Sequence, residues 1–302
     1  MRRTQLQAPA KLNLGLRITG RRQDGYHELE SLFVPLALAD ELTIELSGPP
    51  GVRLELSGAA AAGVPADERN LAWRAAAAFA REAGLGAGVS LALTKRVPSP
   101  AGLGGGSSDA AAVLRGLTTL APGVIGPSRL AELALGLGAD VPFFLAPRSA
   151  LVCGIGERIT PVAGIPALPV VLAHPGPGLE TKAVYAAFDA VDSLTPPRPP
   201  SNLRALLALR EETGAAEARW PSSEEQLRAL VVNDLEPAAQ SLSPRLASLR
   251  EELSASGARA VGMSGSGPTM YAIYGSDAEA RQAEARIARS GVRTWQTRTL
   301  AS

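Results

Sequence analysis

The stretch Pro98-Ser99-Pro100-Ala101-Gly102-Leu103-Gly104-Gly105-Gly106-Ser107-Ser108-Asp109-Ala110-Ala111-Ala112-Val113 sets four glycines among five residues, between an alternating segment and an alanine-rich one. Upstream, Val89-Ser90-Leu91-Ala92-Leu93 alternates as a strand does and runs through Lys95 into the loop. Downstream, the composition predicts a helix from about Ser108 to Leu117. Glycine permits positive φ and lets an anion approach backbone amides, while a helix start adds unpaired N–H groups and a positive dipole end. This pattern suits phosphate, with Ser107 and Ser108 offering hydroxyls to phosphate oxygens or to a metal. A linker or a plain strand–helix turn is the other reading, against which stand the two stiffening prolines and the serine pair. No Gly-Lys-Ser/Thr follows, and Ser107 stands where a dinucleotide fingerprint needs its third glycine, so neither of those nucleotide motifs applies.

Working outward, Ala10 to Leu16 alternates, with Leu12, Leu14 and Leu16 on one face and Lys11, Asn13 and Gly15 on the other. Leu42–Leu46 and Val52–Leu56 alternate as well, joined by a Gly/Pro turn over 47–51. Asn70 reads as the N-cap of a helix over 71–83 that Gly84 ends. A proline-rich region, 161–177, is the best boundary candidate. Beyond it come a strand (168–173), a helix (181–191), a stiff loop at 196–200, and capping-box spacing at Ser222-Ser223-Glu224-Glu225. The last sixty residues read helix (244–255), strand (259–263), strand (269–274), helix (277–289), strand (292–297). With the strand near Val170 placed first, this is a β-α-β-β-α-β order, the ferredoxin-like arrangement. Gly262-Met263-Ser264-Gly265-Ser266-Gly267-Pro268-Thr269 is a second glycine loop, either an ordinary hairpin or the opposite wall of one site.

Composition narrows the function classes. Thirty basic against 29 acidic residues in 302 leave a formal charge of +1, without the basic excess of a nucleic-acid binder. With 46% hydrophobic residues a core can be buried, and the length suggests about two domains. Cys153 is alone, so no intrachain disulfide or cysteine metal site is expected, and it reads as a buried structural thiol. The longest uncharged run, 159–179, holds five prolines and cannot form a spanning helix. A soluble, cytoplasmic protein is expected, with no nucleic-acid or membrane partner.

Only three basic residues are lysine: Lys11, Lys95 and Lys182. They are either leftovers of a compositional bias toward arginine or positions needing a compact ammonium. Asp140, in Gly138-Ala139-Asp140-Val141-Pro142-Phe143-Phe144-Leu145, has two open readings: a helix N-cap before an early proline, or a carboxylate that accepts a hydroxyl proton beside a phosphate site. Tyr26-His27 follows the turn 22–25, and an aromatic beside a histidine suits a planar ring.

Three segments in order, Pro9-Ala10-Lys11-Leu12-Asn13-Leu14, Gly102 to Ser108, and Met263-Ser264-Gly265-Ser266-Gly267, resemble the GHMP small-molecule kinases, which include galactokinase, homoserine kinase and mevalonate kinase. Asp24-Gly25-Tyr26-His27-Glu28-Leu29, the Gly138–Phe144 segment and Asn233-Asp234-Leu235-Glu236 are similar to members that phosphorylate the tertiary 2-hydroxyl of a CDP-linked polyol in non-mevalonate isoprenoid precursor synthesis. The resemblance implies an α+β, two-domain GHMP kinase fold: a ribosomal-S5-like, ATP-binding catalytic domain over 1–160 and a ferredoxin-like, substrate-binding domain over 161–302. It implies ATP as co-substrate with Mg²⁺, a CDP-linked polyol as acceptor, and a monomer or weak homodimer. Residue by residue, it implies Lys11 and Asp140 as the catalytic pair. The ATP side would be Asn70, Lys95, Pro98, Gly102, Leu103, Gly104, Gly105, Gly106, Ser107 and Ser108. Asn13, Tyr26, His27, Thr181 and Tyr185 would bind the acceptor. Ser99-Pro100-Ala101 departs from the glycine-richer loop start of many relatives.

Overall fold

The computed structural model describes residues 2–192, 203, 210–212, 215–217, 220–221 and 223–302. The proline-rich loop expected at 196–200, and Ser222, lie outside them. The chain forms two compact units: Met1–Ala10, Leu38–Ser99 and Gly104–Pro147 in the first; Lys11–Ala37, Pro100–Leu103 and Arg148–Ser302 in the second. The chain thus passes between units several times, whereas the sequence reading set a single boundary after residue 160. Two long strands, β1 (Arg2–Arg21) and β2 (His27–Ser47), each contribute to both units.

In the first unit the C-terminal half of β2 pairs antiparallel with β4 (Gly88–Thr94), and β4 pairs parallel with β3 (Val52–Ser57). The Gly/Pro turn after β2 therefore leads to a strand two places away, because β4 inserts between β2 and β3. Helix α1 (Leu71–Glu82) starts on Asn70, whose side chain accepts from Ala72 N, and buries Ala72, Ala75, Ala76 and Phe79. Helix α2 (Gly105–Leu120) packs against α1 and buries most of its residues. It begins three residues earlier than the composition suggested, taking Gly105 and Gly106 into its first turn. Two more helices follow, α3 (Pro127–Leu137) and the short α4 (Val141–Leu145), which packs on α2.

In the second unit the N-terminal half of β2 pairs with β5 (Ala150–Gly154), which pairs with β6 (Arg158–Ala163). Beyond β6 lie β9 (Ala215–Glu217) and β8 (Arg210–Glu212). Cys153 on β5 is half-buried, not the fully buried thiol expected. A separate antiparallel sheet runs β10 (Ala260–Met263), β11 (Met270–Ile273), β7 (Pro169–His174), β12 (Arg293–Arg298). Numbered among themselves, its strands lie in the order 2-3-1-4, the ferredoxin-like arrangement that the sequence order predicts. Among the described residues, α5 (Thr181–Asp192), α6 (Glu224–Leu230), α7 (Glu236–Leu242), α8 (Arg245–Ser254) and α9 (Asp277–Ala288) accompany it. Ser223 caps α6, accepting from Gln226 N, so the cap is the second serine of the predicted segment. Val171, Ala173, Val184, Leu249, Met270 and Ile287 share this unit's core.

Expected alternation fails along β1: residues 8–16 are buried on both faces, because neighbours cover the polar face as well. Tyr271 of β11 is one such neighbour, and its buried hydroxyl donates to the carbonyls of Asn13 and Leu14 at 3.1 and 3.0 Å. Tyr271→Phe keeps the ring and removes only that donor. It should cost about 1–2 kcal/mol in urea denaturation, with an unchanged slope.

Candidate functional site

In the first unit the glycine loop reaches α2 through Gly104, which stands at the N-cap with φ +69°, a left-handed geometry that glycine adopts without strain. No side chain caps the helix. Its first-turn N–H groups thus face outward from a sixteen-residue dipole, an arrangement suited to an anion. Ser108 Oγ is fully buried and has no hydrogen-bond partner among the described residues.

Below the loop lies a buried charged cluster. Lys95 Nζ donates to Asp40 and, at 2.6 Å, to Asp109 Oδ2. Asp40 Oδ1 accepts from the backbone of Arg96 and, at 2.8 Å, of Val97. The cluster therefore ties β2, the exit of β4 and the start of α2 together. Burial pulls the Lys95 ammonium down, but Asp109 and Asp40 outweigh it and hold the group above its ordinary value. Burial pushes the Asp109 carboxyl up to about 8, against the pull of Lys95 and with the push of Asp40.

Asn70, placed on the ATP side by resemblance, is also structural: besides capping α1 it donates to Pro65 O at 2.8 Å. Pro98 is buried. Asp140 occupies the N-cap position of α4 with Pro142 in the first turn, yet its side chain makes no capping hydrogen bond. Position fits the capping reading, but the bond that would justify it is not formed.

In the second unit Lys11 and Asn13 come together. Lys11 is 3% exposed, with Nζ on Asn13 Oδ1 at 2.5 Å and 4.6 Å from the centre of the Phe33 ring. Asn13 Nδ2 donates to Ser31 at 2.9 Å, and Asn13 N to Ser264 Oγ at 3.2 Å. Ser264 in turn donates to Gly102 O at 2.9 Å, while Lys11 N donates to Leu103 O at 2.9 Å. A Cβ on Gly102 would lie 2.1 Å from Ser264 O, so only glycine fits where the two glycine loops meet. Asn233 Nδ2 bonds the carbonyls of Met263 and Gly265, both at 2.8 Å, and Asp234 bonds Arg17 and Ile18 N. The Asn-Asp pair of that motif is thus a clamp on the second loop and on β1. His174 Nε2 reaches Pro100 O at 3.4 Å, and burial lowers its pKa, as befits a neutral structural histidine.

A third group gathers around His27. Its ring lies 4.9 Å from Tyr185 and 5.7 Å edge-on from Phe188, and Nε2 meets Asp189 Oδ1 at 2.6 Å. Tyr26 is 63% exposed, and Thr181 bonds Ser266 at 3.0 Å. Lys182 is exposed on α5. Lys11, Asn13, Gly102, Leu103, Tyr26, His27, Thr181 and Tyr185 belong to the second unit; Asn70, Lys95, Pro98, the loop from Gly104 to Ser108, and Asp140 belong to the first. Sequence reasoning missed Asp40, Asp189 and Phe188, since ordinary acidic and aromatic residues on amphipathic elements carry no signal. Asp109 lies within the glycine-loop segment, where nothing in the sequence pattern singles it out as a buried partner of Lys95.

Comparison with known proteins agrees across the chain. Residues 70–147 match the model for the GHMP kinases N terminal domain, and 214–293 that for GHMP kinases C terminal. A protein of Citrifermentans bemidjiense named 4-diphosphocytidyl-2-C-methyl-D-erythritol kinase is 40% identical over 290 residues, 96% of each chain. A Thermus thermophilus protein of the same name is 41% identical over 288 residues, 95% of this chain and 94% of its own. A crystal structure of 4-(cytidine 5'-diphospho)-2C-methyl-D-erythritol kinase superposes with a TM-score of 0.79 at 38% identity, covering 99% of this chain and 100% of that one. A homoserine kinase from Cytophaga hutchinsonii, at 17% identity and a TM-score of 0.69 over 99% of this chain and 95% of its own, shares the fold.

The Asp109 carboxyl titrates higher folded than unfolded, from 3.8 to about 8. Between those values the unfolded chain has lost a proton that the folded chain keeps, so this group makes stability fall as pH rises. Asp109→Asn mimics the protonated shape without titrating. Melting temperatures from pH 5 to 8.5 should show the variant gaining steadily on the wild type, and parallel profiles would remove the effect.

Proposed function

The chain belongs to the GHMP kinases, among their 4-diphosphocytidyl-2-C-methyl-D-erythritol kinases, and from that premise we propose how its residues transfer a phosphoryl group from ATP to the acceptor's 2-hydroxyl. It is a small-molecule phosphotransferase. The observation that carries the choice of acceptor is the approach of His27 to Tyr185 at 4.9 Å. A nucleobase needs a flat wall and a polar edge, which Tyr26, His27 and Tyr185 supply; homoserine or mevalonate would leave them without a role.

In this reading the ATP phosphates sit on the N–H groups of Gly104, Gly105, Gly106 and Ser107 at the start of α2, with Gly102 and Leu103 shaping the approach. Asn70, Lys95 and Pro98 shape the nucleotide side, Lys95 from beneath through Asp40 and Asp109. Ser108 fits a Mg²⁺–phosphate complex, because its buried hydroxyl is a hard oxygen donor still without a partner. Among the described residues no cluster of three His, Cys, Asp or Glu could cage an ion by itself. When bound, Mg²⁺ neutralises charge on the transferring group.

Asp140 takes the proton of the 2-hydroxyl as its oxygen attacks, and Lys11 neutralises charge near the reacting oxygen. Asn13 orients the Lys11 ammonium, and Thr181 holds the acceptor beside Tyr185. A tertiary alcohol is a hindered nucleophile, so positioning supplies much of the rate. A cytoplasmic enzyme, monomeric or weakly dimeric, fits a chain with one cysteine and no charge excess. No helix among the described residues is long and apolar enough to cross a membrane.

³¹P NMR of the chain with ATP and the CDP-linked acceptor should show a new phosphomonoester, and CMP, not mevalonate, should compete. Asp140→Asn should bind ATP normally while kcat falls about 10²–10⁴-fold; unchanged turnover would sink the base assignment. Lys11→Arg keeps the charge but misplaces it, so kcat should fall about tenfold or more, and near-normal activity would take Lys11 out of the mechanism.

A further inference from the structure

Helix α5 presents Tyr185, Phe188 and Asp189 at spacings of three and four residues, hence on one face. His27 is enclosed by that face: its side chain is 8% exposed, bounded by the two rings, with Nε2 2.6 Å from Asp189 Oδ1. The other carboxylate oxygen, Oδ2, is held by Arg21 at 3.3 Å. An ionised carboxylate can only accept hydrogen bonds. A neutral His27 ring facing it must carry its proton on Nε2, which leaves Nδ1 as an acceptor.

An acceptor at Nδ1 distinguishes pyrimidines at one position. Cytosine carries an exocyclic amino donor where uracil carries a carbonyl acceptor, and two facing acceptors repel. We propose that Asp189 is a specificity-determining positioning residue. It fixes the His27 tautomer, through which the site selects an amino-bearing pyrimidine over uracil. The proposal rests on the reading that His27 meets the base of the acceptor. Asp189 need not touch the acceptor, and Arg21 steadies the carboxylate that sets the proton.

The tautomer is measurable without substrate. The full chain has two histidines, so ¹⁵N-histidine NMR at pH 8 gives two ring systems, and His27→Gln identifies which is which. His27 should be the Nε2–H tautomer in the wild type and a mixture in Asp189→Asn, whose amide can donate as well as accept. A wild-type ring that is Nδ1–H or doubly protonated overturns the proposal. The ratio of kcat/KM for the CDP-linked over the UDP-linked acceptor should fall about ten- to a hundredfold in Asp189→Asn, the cost of one mismatched buried polar pair. Asp189→Glu, which still only accepts, should keep most of that preference, with melting curves confirming that both variants fold. An unchanged ratio in Asp189→Asn overturns the tautomer's role in selection. If CMP and UMP inhibit the wild type equally, the base does not lie on His27, and the proposal falls with that reading even where the tautomer is as stated.

Discussion

Lys95, Asp40 and Asp109 share a space from which water is excluded, and the first unit is organised around that fact. An unpaired buried ammonium would cost several kcal/mol, so the lysine holds its place only while acid side chains stay within hydrogen-bond reach of it. One carboxylate sits on β2 and the other in α2, while the ammonium leaves from the end of β4. Asp40 spends its second oxygen on the backbone at Arg96 and Val97, which defines the path into the glycine loop. The loop between those elements thus has its beginning and its end set by one cluster. A compact ammonium reaches both acids within a space that a flat, wider guanidinium would not share.

The second unit solves a similar problem with neutral hydrogen bonds. Ser264 bonds Gly102, Asn13 bonds Ser264 and Ser31, and Asn233 bonds two carbonyls of the second glycine loop. Glycine at 102 is needed because backbone approaches backbone where no side chain would fit. Such loops offer amides and hydroxyls to a ligand only if something rigid spends the rest of their polar groups, and here buried asparagines and a serine do so.

Much of the fold was legible because it rests on local rules. The Asn70 cap, the alanine face of α1 and the alternation of β4 each follow from short-range pattern, as does the order β7, α8, β10, β11, α9, β12, whereas α7, β8 and β9 were not read from the sequence. The errors have physical causes. Helix α2 starts at Gly105 because a left-handed Gly104 turns the chain into it, which overrides the weak helix propensity of glycine. Strands β2 and β3 read as neighbours, but β4 separates them, and pairing between distant segments leaves no local trace. The alternation of β1 put Lys11, Asn13 and Gly15 on one face without showing what meets it, and residues more than two hundred positions away, Tyr271 and Ser264 among them, cover it.

The family, and with it the reaction class, was legible in the sequence as a resemblance carried by glycine- and serine-bearing segments, where close backbone approaches admit few other residues. The scarcity of lysine likewise marked two positions that proved buried, Lys11 and Lys95, while Lys182 is an ordinary exposed lysine. What only the tertiary structure decided is which groups those residues answer to. That Lys95 balances Asp40 and Asp109 in a fully buried cluster, and that His27 rests on a partly exposed Asp189, depends on side chains 14 to 162 positions apart meeting in space. There one hydrogen bond or one charge outweighs any preference of the local chain.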